Sequence, residues 1–247
     1  MTQIAPEESE SVFVRPLSNA GVVKLPSALI PARTAMMGRY CSLEPLAAHV
    51  HAHELFEASH KSTEALHIWK FLPVGPWASE EEYTIALRQQ TSEFDRIYYA
   101  IRAADGGPVT GQASYLDIQP QNGVIEIGAI WFGFDLRRTR AATEALYLMI
   151  RHAMDDLGYR RLQWRCNALN KASRSAARRL GFRFEGTFYN HMIYKGKNRD
   201  TAWYSILDYE WQEARDILER WLQPSNFDHR GIAKTSLAHL MLQRAKR

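Results

Sequence analysis

Apolar positions in this chain come in two alternating rhythms, short runs with a strand's period and longer stretches with a helix's. Strands are predicted at 39–44, 97–102, 109–118, 124–132, 160–166, 186–194 and 201–207, where β-branched and aromatic residues concentrate. The turn Asp105, Gly106, Gly107 joins the second to the third, residues 119–123 close a hairpin onto 124–132, and 195–200 turn between the last two. Helices are predicted at 47–59, 79–90, 143–157, 170–180 and 211–222. In 143–157 the apolar positions are 146, 149, 150, 153, 154 and 157, one face of a 3.6-residue period that stops at Gly158. In 211–222 they are 211, 214, 217, 218, 221 and 222. Asn170 is a helix cap and Gly181 a helix stop, while Ser79 precedes Glu80, Glu81 and Glu82 in a first turn where the helix dipole favours carboxylates. This order of elements predicts a mixed α/β (α+β) fold, one central sheet with helices on its faces.

The two ends differ from the middle. Residues 1–37 have no sustained period and contain Pro6, Pro16, Pro26 and Pro31, which predicts an arm wrapped on the surface, with 12–14 as a short added strand. The domain proper is expected over 38–208, followed by a helical extension over 209–247 whose last part, 232–247, reads as a basic, weakly amphipathic tail. With 247 residues, 46% of them hydrophobic, the chain supports one ordinary core, and no run reaches the eighteen or so apolar residues of a membrane helix. The acidic, polar first residues argue against a secretory or transit segment. Cys41 and Cys166 fall inside predicted strands and read as buried free thiols, so a reducing, cytoplasmic location is expected. A net charge of +4 favours acidic ligands without demanding nucleic acid. His51, His53 and His60 make no metal constellation, and Cys-x-x-Cys and His-Glu-x-x-His are missing, so no metal is expected.

The most informative segment runs from 124 to 182. A strand breaks at Gly133 into FDLRRTRAATEA, residues 134–145, placing three arginines and several small residues where a helix begins. The unpaired N–H groups and positive dipole end of a helix start already form an anion site. Arg137, Arg138 and Arg140 add charge, and Ala141 and Ala142 let the backbone approach a ligand. The layout suits a diphosphate and is not a Walker loop, since G-x-x-x-x-G-K-[ST] is missing.

This segment resembles the acyl-CoA-dependent N-acyltransferases of the GNAT superfamily, especially the branch that acetylates ribosomal-protein N-termini. The family's cofactor loop, [Q/R]-x-x-G-x-[G/A] followed by T-E-A, corresponds to Arg137, Arg138, Thr139, Arg140, Ala141 and Ala142, then Thr143, Glu144 and Ala145. The family's N-x-x-S closing in G-F corresponds to Asn170 and Ser173 with Gly181 and Phe182. The looser resemblance covers about 38–208. It implies a mixed, mostly antiparallel GNAT-like sheet in which two central strands splay to receive pantetheine, with acetyl-CoA as cosubstrate. The cofactor set is then Trp131, Phe132, Arg137, Arg138, Thr139, Arg140, Ala141, Ala142, Thr143, Asn170, Ser173 and Arg174. Arg140 replaces the loop's first glycine. Either its side chain crowds a position that wants positive φ, or it supplies a phosphate contact of its own.

N-acetyl transfer needs a deprotonated amine and a proton for the leaving thiolate. Glu126 lies among Ile125, Ile127 and Ile130, where desolvation raises a carboxyl toward a working base, and family relatives carry a base here. The other reading pairs it with an arginine or turns it to solvent. Ser173 matches the serine the family places near the CoA sulfur as a thiolate proton donor; otherwise it only caps its helix. The family's usual tyrosine acid corresponds to Ala177, which leaves Ser173, Tyr189, His191 or Tyr194 for that role. Asn170 can both cap the helix and meet pantetheine amides. Arg174, Arg178 and Arg179 form a basic stripe that is either a phosphate contact, foremost Arg174, or a solvated face. Trp69, Phe71, Trp77, Tyr189, His191, Tyr194 and Trp203 offer an acceptor pocket, with Trp69, Trp77, His191 and Trp203 as its substrate-binding members, although aromatics of this kind also build cores.

The expected activity is acetyl-CoA-dependent acetylation of a primary amine, on a small molecule or a protein N-terminus. The expected partners are acetyl-CoA and that amine, with a homodimer as an open assembly. Two alternatives stand beside it. Arg140 and Ala177 suggest a non-catalytic CoA-binding relative, and Arg230, Lys234, Arg244, Lys246 and Arg247 suggest a ribosome- or nucleic-acid-binding module, although they are sparse for that purpose.

Overall fold

The computed structural model describes residues 10–18, 21–23, 25–104 and 106–245. The acidic start at 1–9, Asp105 of the predicted turn, and Lys246 and Arg247 of the basic tail lie outside the described residues. Eight strands form one sheet: β1 (Met36–Met37), β2 (Cys41–Pro45), β3 (Ile97–Ala103), β4 (Val109–Gln119), β5 (Val124–Phe132), β6 (Arg161–Asn167), β7 (Arg183–Tyr194) and β8 (Lys197–Leu207). Their order is β1-β2-β3-β4-β5-β6-β8-β7. Every neighbouring pair is antiparallel except β5 and β6, so the sheet is mixed and mostly antiparallel, as expected.

The parallel pair is short. β5 and β6 hydrogen-bond only from Val124 to Glu126 against Arg161 to Gln163. Beyond Glu126, β5 stays on β4 as far as Phe132, and β6 stays on β8 as far as Asn167. A wedge therefore opens between two strands whose facing edges have lost their ladder, the splay that the resemblance implied. On β5 the register slips between Gly128 and Trp131, so that Ala129 (φ 49°) and Ile130 oppose the single residue Ala113. Such a bulge bends its strand away from its partner and frees backbone groups.

Strand alternation sorts side chains into two cores. Ile97, Tyr99 and Ile101 of β3 face the helices α4 (Arg140–Arg151), α5 (Lys171–Arg179) and α6 (Asp208–Leu222), whereas Tyr98 and Ala100 face α1 (Ala48–His60) and α3 (Glu80–Ser92). A four-residue helical turn, α2 (Thr63–Leu66), runs into the 3-10 turn His67–Phe71. The helix predicted at 143–157 starts earlier, at Arg140, because Thr139 caps it, and it runs on through a wide turn, His152–Asp156. Buried Glu144 in its second turn accepts hydrogen bonds from the backbone N–H groups of Arg39 (3.0 Å), Tyr40 (2.5 Å) and Cys41 (3.0 Å), tying the β1–β2 turn to α4.

Two sequence expectations are corrected. The predicted 195–200 loop shrinks to Lys195-Gly196, both at positive φ, the two-residue turn whose twist matches a hairpin, and β8 begins at Lys197. Residues 12–14 add no strand; a single bond, Phe13 N–H to the Phe184 carbonyl (2.8 Å), touches the edge of β7, while Arg15 pairs with Glu185 and Glu210. Within the C-terminal extension, the basic tail holds a docked helix, α7 (Leu237–Ala245). Leu237 and Met241 enter the main core, and buried Arg244 donates to the carbonyls of Gly181 (3.0 Å) and Glu210 (2.8 Å) at the end of α5 and the start of α6. That arginine serves open carbonyls rather than solvent. Among the described residues no helix is long and apolar enough to cross a membrane.

Candidate active site

On the helix side of the wedge, the groups left for a ligand are mainly backbone. Thr139 Oγ1 accepts from the Ala142 N–H (3.1 Å) and donates to the Leu136 carbonyl (2.8 Å). Arg137 N–H turns back to the Gly133 carbonyl (3.2 Å). The N–H groups of Arg140 and Ala141 take no such partner among the described residues, and they point from the first turn of a twelve-residue helix. Ala141 and Ala142 are buried and small, so the backbone is the surface a diphosphate would meet.

The loop's arginines behave differently from one another. Arg138 holds the positive φ (62°) and is exposed. Arg137 is exposed, with its Nε tied to the Phe132 carbonyl (2.8 Å). Arg140 adopts helical backbone, and its guanidinium lies over the rings of Tyr40 (4.3 Å to the centroid) and Phe227 (5.4 Å). It neither strains the turn nor lies free over it. Arg174 is committed elsewhere, to Glu10, the Tyr204 hydroxyl and the Ala168 carbonyl, which removes it from the phosphate set. Its neighbour Arg179, ranked below it from the sequence, donates to Thr143 Oγ1 (2.9 Å) of α4 and has no carboxylate partner among the described residues. Burial lowers its pKa, so an anion there would relieve a real electrostatic cost.

Asn170 caps α5 as expected, its Oδ1 accepting from the Ser173 N–H (3.1 Å). The Ser173 hydroxyl accepts from the Trp164 indole N–H (3.0 Å), which leaves its own proton to give away. The Cys166 thiol feels that proton, although burial still pushes the thiol up to about 11. A donor polarised by an incoming hydrogen bond is a better donor. Ala177, where the family's tyrosine would stand, is fully buried.

The opposite face of the sheet is polar along β5, β6 and β8. Glu126, 3% exposed, forms an ion pair with Arg165 of β6. Burial raises its pKa, and the Arg165 guanidinium offsets only part of that; Asp117 raises it further and Arg199 opposes. Both readings of Glu126 thus meet in one residue: it is desolvated, and it has an arginine. Gly128, two residues on, keeps the space beside the carboxylate clear, for a Cβ there would come 3.1 Å from Glu126 Oε1 and 2.6 Å from Leu116. Arg165 lies over the Trp203 ring at 4.9 Å, and Trp203 packs with Phe188 (5.0 Å) and His191 (6.0 Å). The hairpin tip closes across the face, Lys195 Nζ donating to the Trp69 carbonyl (2.8 Å).

Trp203 and His191 therefore stand on the face that holds Glu126. Trp69 and Trp131 do not offer their rings: both are buried beneath α1, 5.6 Å apart, and Trp77 packs edge-on against Trp69. Trp131 can meet a cofactor only through its backbone. Tyr189 is 77% exposed and outside this aromatic group, and so it is not gathered with Glu126. The register explains it, since residues 189–191 bulge out opposite Asp200. The sequence reading missed Arg165 and Arg199. The signal for Arg165 was the alternation of Gln163, Arg165 and Asn167 with Leu162, Trp164 and Cys166 along β6, which marks one polar and one apolar face. No group of three or more His, Cys, Asp or Glu able to hold a metal occurs among the described residues.

The profile of the acetyltransferase (GNAT) domain matches residues 42–183. A crystal structure of a GCN5-related N-acetyltransferase from Brucella melitensis is 41% identical, superposes with a TM-score of 0.85, and is matched over 88% of this chain and 98% of its own. An acetyltransferase of the same family from Chromobacterium violaceum is 38% identical, with a TM-score of 0.73 over 82% of this chain and 100% of its own. The Bacillus subtilis protein YdaF, described as a ribosomal N-acetyltransferase, is 25% identical over 165 residues, 65% of this chain and 88% of its own.

Proposed function

This chain belongs to the GNAT acetyltransferase family, and from that membership and the geometry of the wedge we infer that it moves an acetyl group from acetyl-CoA to a primary amine of a small molecule or a protein N-terminus. The observation that carries this reading is the place where β5 and β6 part. They separate directly after Glu126, so the buried carboxylate stands at the apex of the opening. Free N–H groups at the start of α4 lie on the helix side, suited to a diphosphate, and Arg179 is a second anion contact. The bulge at Ala129 leaves backbone groups for an extended arm or a polarised carbonyl.

Acetyl-CoA supplies an activated thioester. An alkyl amine is mostly ammonium at neutral pH and has no lone pair for attack. Glu126, directly or through a water, takes that proton; its raised pKa brings it closer to a working base than an exposed glutamate. As the new C–N bond forms and the C–S bond breaks, Ser173 gives a hydroxyl hydrogen bond to the departing sulfur, which leaves as the thiolate and takes its proton from water. The base and the donor belong to opposite faces of the sheet, and the wedge connects them.

The test is a panel of amines incubated with acetyl-CoA, reading free thiol and the mass of the acceptor. The expected result is thiol release in step with an acceptor heavier by one acetyl group. Binding of CoA without acceptor-dependent thiol release across small amines, amino acids and peptides would overturn the catalytic reading in favour of a non-catalytic relative.

A further inference from the structure

Arg199 has no function in the scheme above, yet it is one of the more unusual groups in the molecule. It is 8% exposed and, among the described residues, has no side-chain hydrogen bond and no carboxylate partner. Its guanidinium lies over the Tyr194 ring at 4.3 Å. A ring face attracts a cation, but more weakly than the hydration that burial removes. Its Nε is enclosed and unbonded, and so is the indole N–H of Trp203 on the same face of β8. The two donors stand four residues apart on that strand, so each calls for an acceptor atom of its own.

Its location says which ligand would answer. β6 ends at Asn167 opposite Thr201, so Arg199 overhangs the point where β6 has stopped and the wedge is open. Its charge reaches both Glu126 and Cys166, the first on the acceptor face and the second on the helix side. Arg165 is already paired with Glu126, and Asp117 is the further carboxylate of this group, whereas Arg199 has no direct ion pair among the described residues. The donor's diphosphate has its own anchor at α4, and a single free guanidinium matches a monoanion that can take two parallel N–H bonds.

We propose that Arg199 forms a carboxylate-binding subsite, and that the acceptor is an amine carrying a carboxylate: an amino acid or a short acidic peptide rather than a simple alkylamine. The proposal rests on the acetyltransferase reading only for its turnover arm. Bound this way, the carboxylate orients the molecule, and the amine is presented toward Glu126.

The experiment compares matched acceptors, amino acids against their carboxamides and ω-amino acids against alkylamines of equal length. Each pair is measured for kcat/KM with acetyl-CoA and for direct binding to the CoA-loaded protein by calorimetry. The wild-type protein should prefer the carboxylate member by roughly 10- to 100-fold, the scale of a charge-assisted hydrogen-bond pair. Arg199→Gln should bring that ratio close to one, and Arg199→Lys should keep part of it. Because the ratio is taken within each variant, a change in folded fraction cancels. If carboxylates bind with the predicted preference and no amine is acetylated, the subsite stands and the acetyltransferase reading falls. If wild type does not discriminate between the members of a pair, or if Arg199→Gln leaves the ratio unchanged, the proposal is overturned. Loss of acetyl-CoA affinity in Arg199→Gln with an unchanged acceptor ratio would overturn it too, by assigning the cation to the donor.

Discussion

On the helix side of the wedge the groups open to a ligand are backbone, the N–H groups of Arg140 and Ala141 at the start of α4, with Thr139 spent on capping that helix and Asn170 on capping α5. On the opposite face they are charged side chains: Glu126, Arg165 and Arg199, contributed by β5, β6 and β8. The first side is set by one continuous turn, so its shape survives replacement of the exposed arginines. The second depends on side chains brought together from three strands, where one substitution strands a buried partner. Sensitivity to mutation should therefore be unequal across the wedge.

The largest effect is expected at Glu126. Glu126→Gln keeps the shape but cannot take a proton, and it should lower kcat/KM by about 10²–10⁴-fold while acetyl-CoA affinity, measured by calorimetry, stays near wild type. Retention of most activity would make Glu126 a structural partner of Arg165 and level the contrast between the two faces.

Stability should respond most at Glu144. Glu144→Ala leaves the N–H groups of Arg39, Tyr40 and Cys41 without their acceptor. A loss of about 2–5 kcal/mol in denaturant unfolding is expected, since an unsatisfied buried donor costs about 1–3 kcal/mol and water will reach some of them. A loss below about 1 kcal/mol would show that the β1–β2 turn is not held through this carboxylate.

Ser173→Ala should act on kcat more than on KM, by roughly 10- to 100-fold, the value of a hydrogen bond to a charged group. An equal effect with acyl donors whose leaving thiol is already acidic would remove Ser173 from the stabilisation of the departing thiolate. The smallest effect is expected at Arg140, clamped between Tyr40 and Phe227. Arg140→Ala should cost about 0.5–2 kcal/mol of stability, the range of cation–π contacts, and change acetyl-CoA affinity by less than about threefold. A tenfold loss of affinity would mean that the side chain leaves the rings to grip a phosphate.

The same contrast decided what the sequence could reveal. The turn into α4 was legible because Gly133, the arginines, Ala141 and Ala142 lie within a few residues of one another, where local rules apply. Glu126 could be picked out by its apolar neighbours, and the ion pair was weighed as an alternative without a named partner. Arg165 lies 39 residues on, and Arg199 lies on a strand that reaches this face only through the register of β6 with β8. Trp69 and Trp131 look the same in sequence as Trp203; only packing under α1 distinguishes core rings from a ring at the site. The tail at 232–247 forms a docked helix because its weak amphipathicity is enough once α5 and α6 supply an apolar groove.

The most direct test of the central claim, that the Glu126–Arg165 pair accepts the amine's proton, is the pH dependence of kcat/KM in wild type and in Arg165→Gln. Burial places the Glu126 pKa above the ordinary carboxyl value of 4.5 and Arg165 holds it down in part. Ionised Glu126 is the active form, so activity should be present above that pKa and fall as pH is lowered through it. Removing the guanidinium disfavours the carboxylate, so the limb should move to higher pH in Arg165→Gln, whereas the ionisation of the free amine cannot move. A limb at the same pH in both proteins would contradict the account.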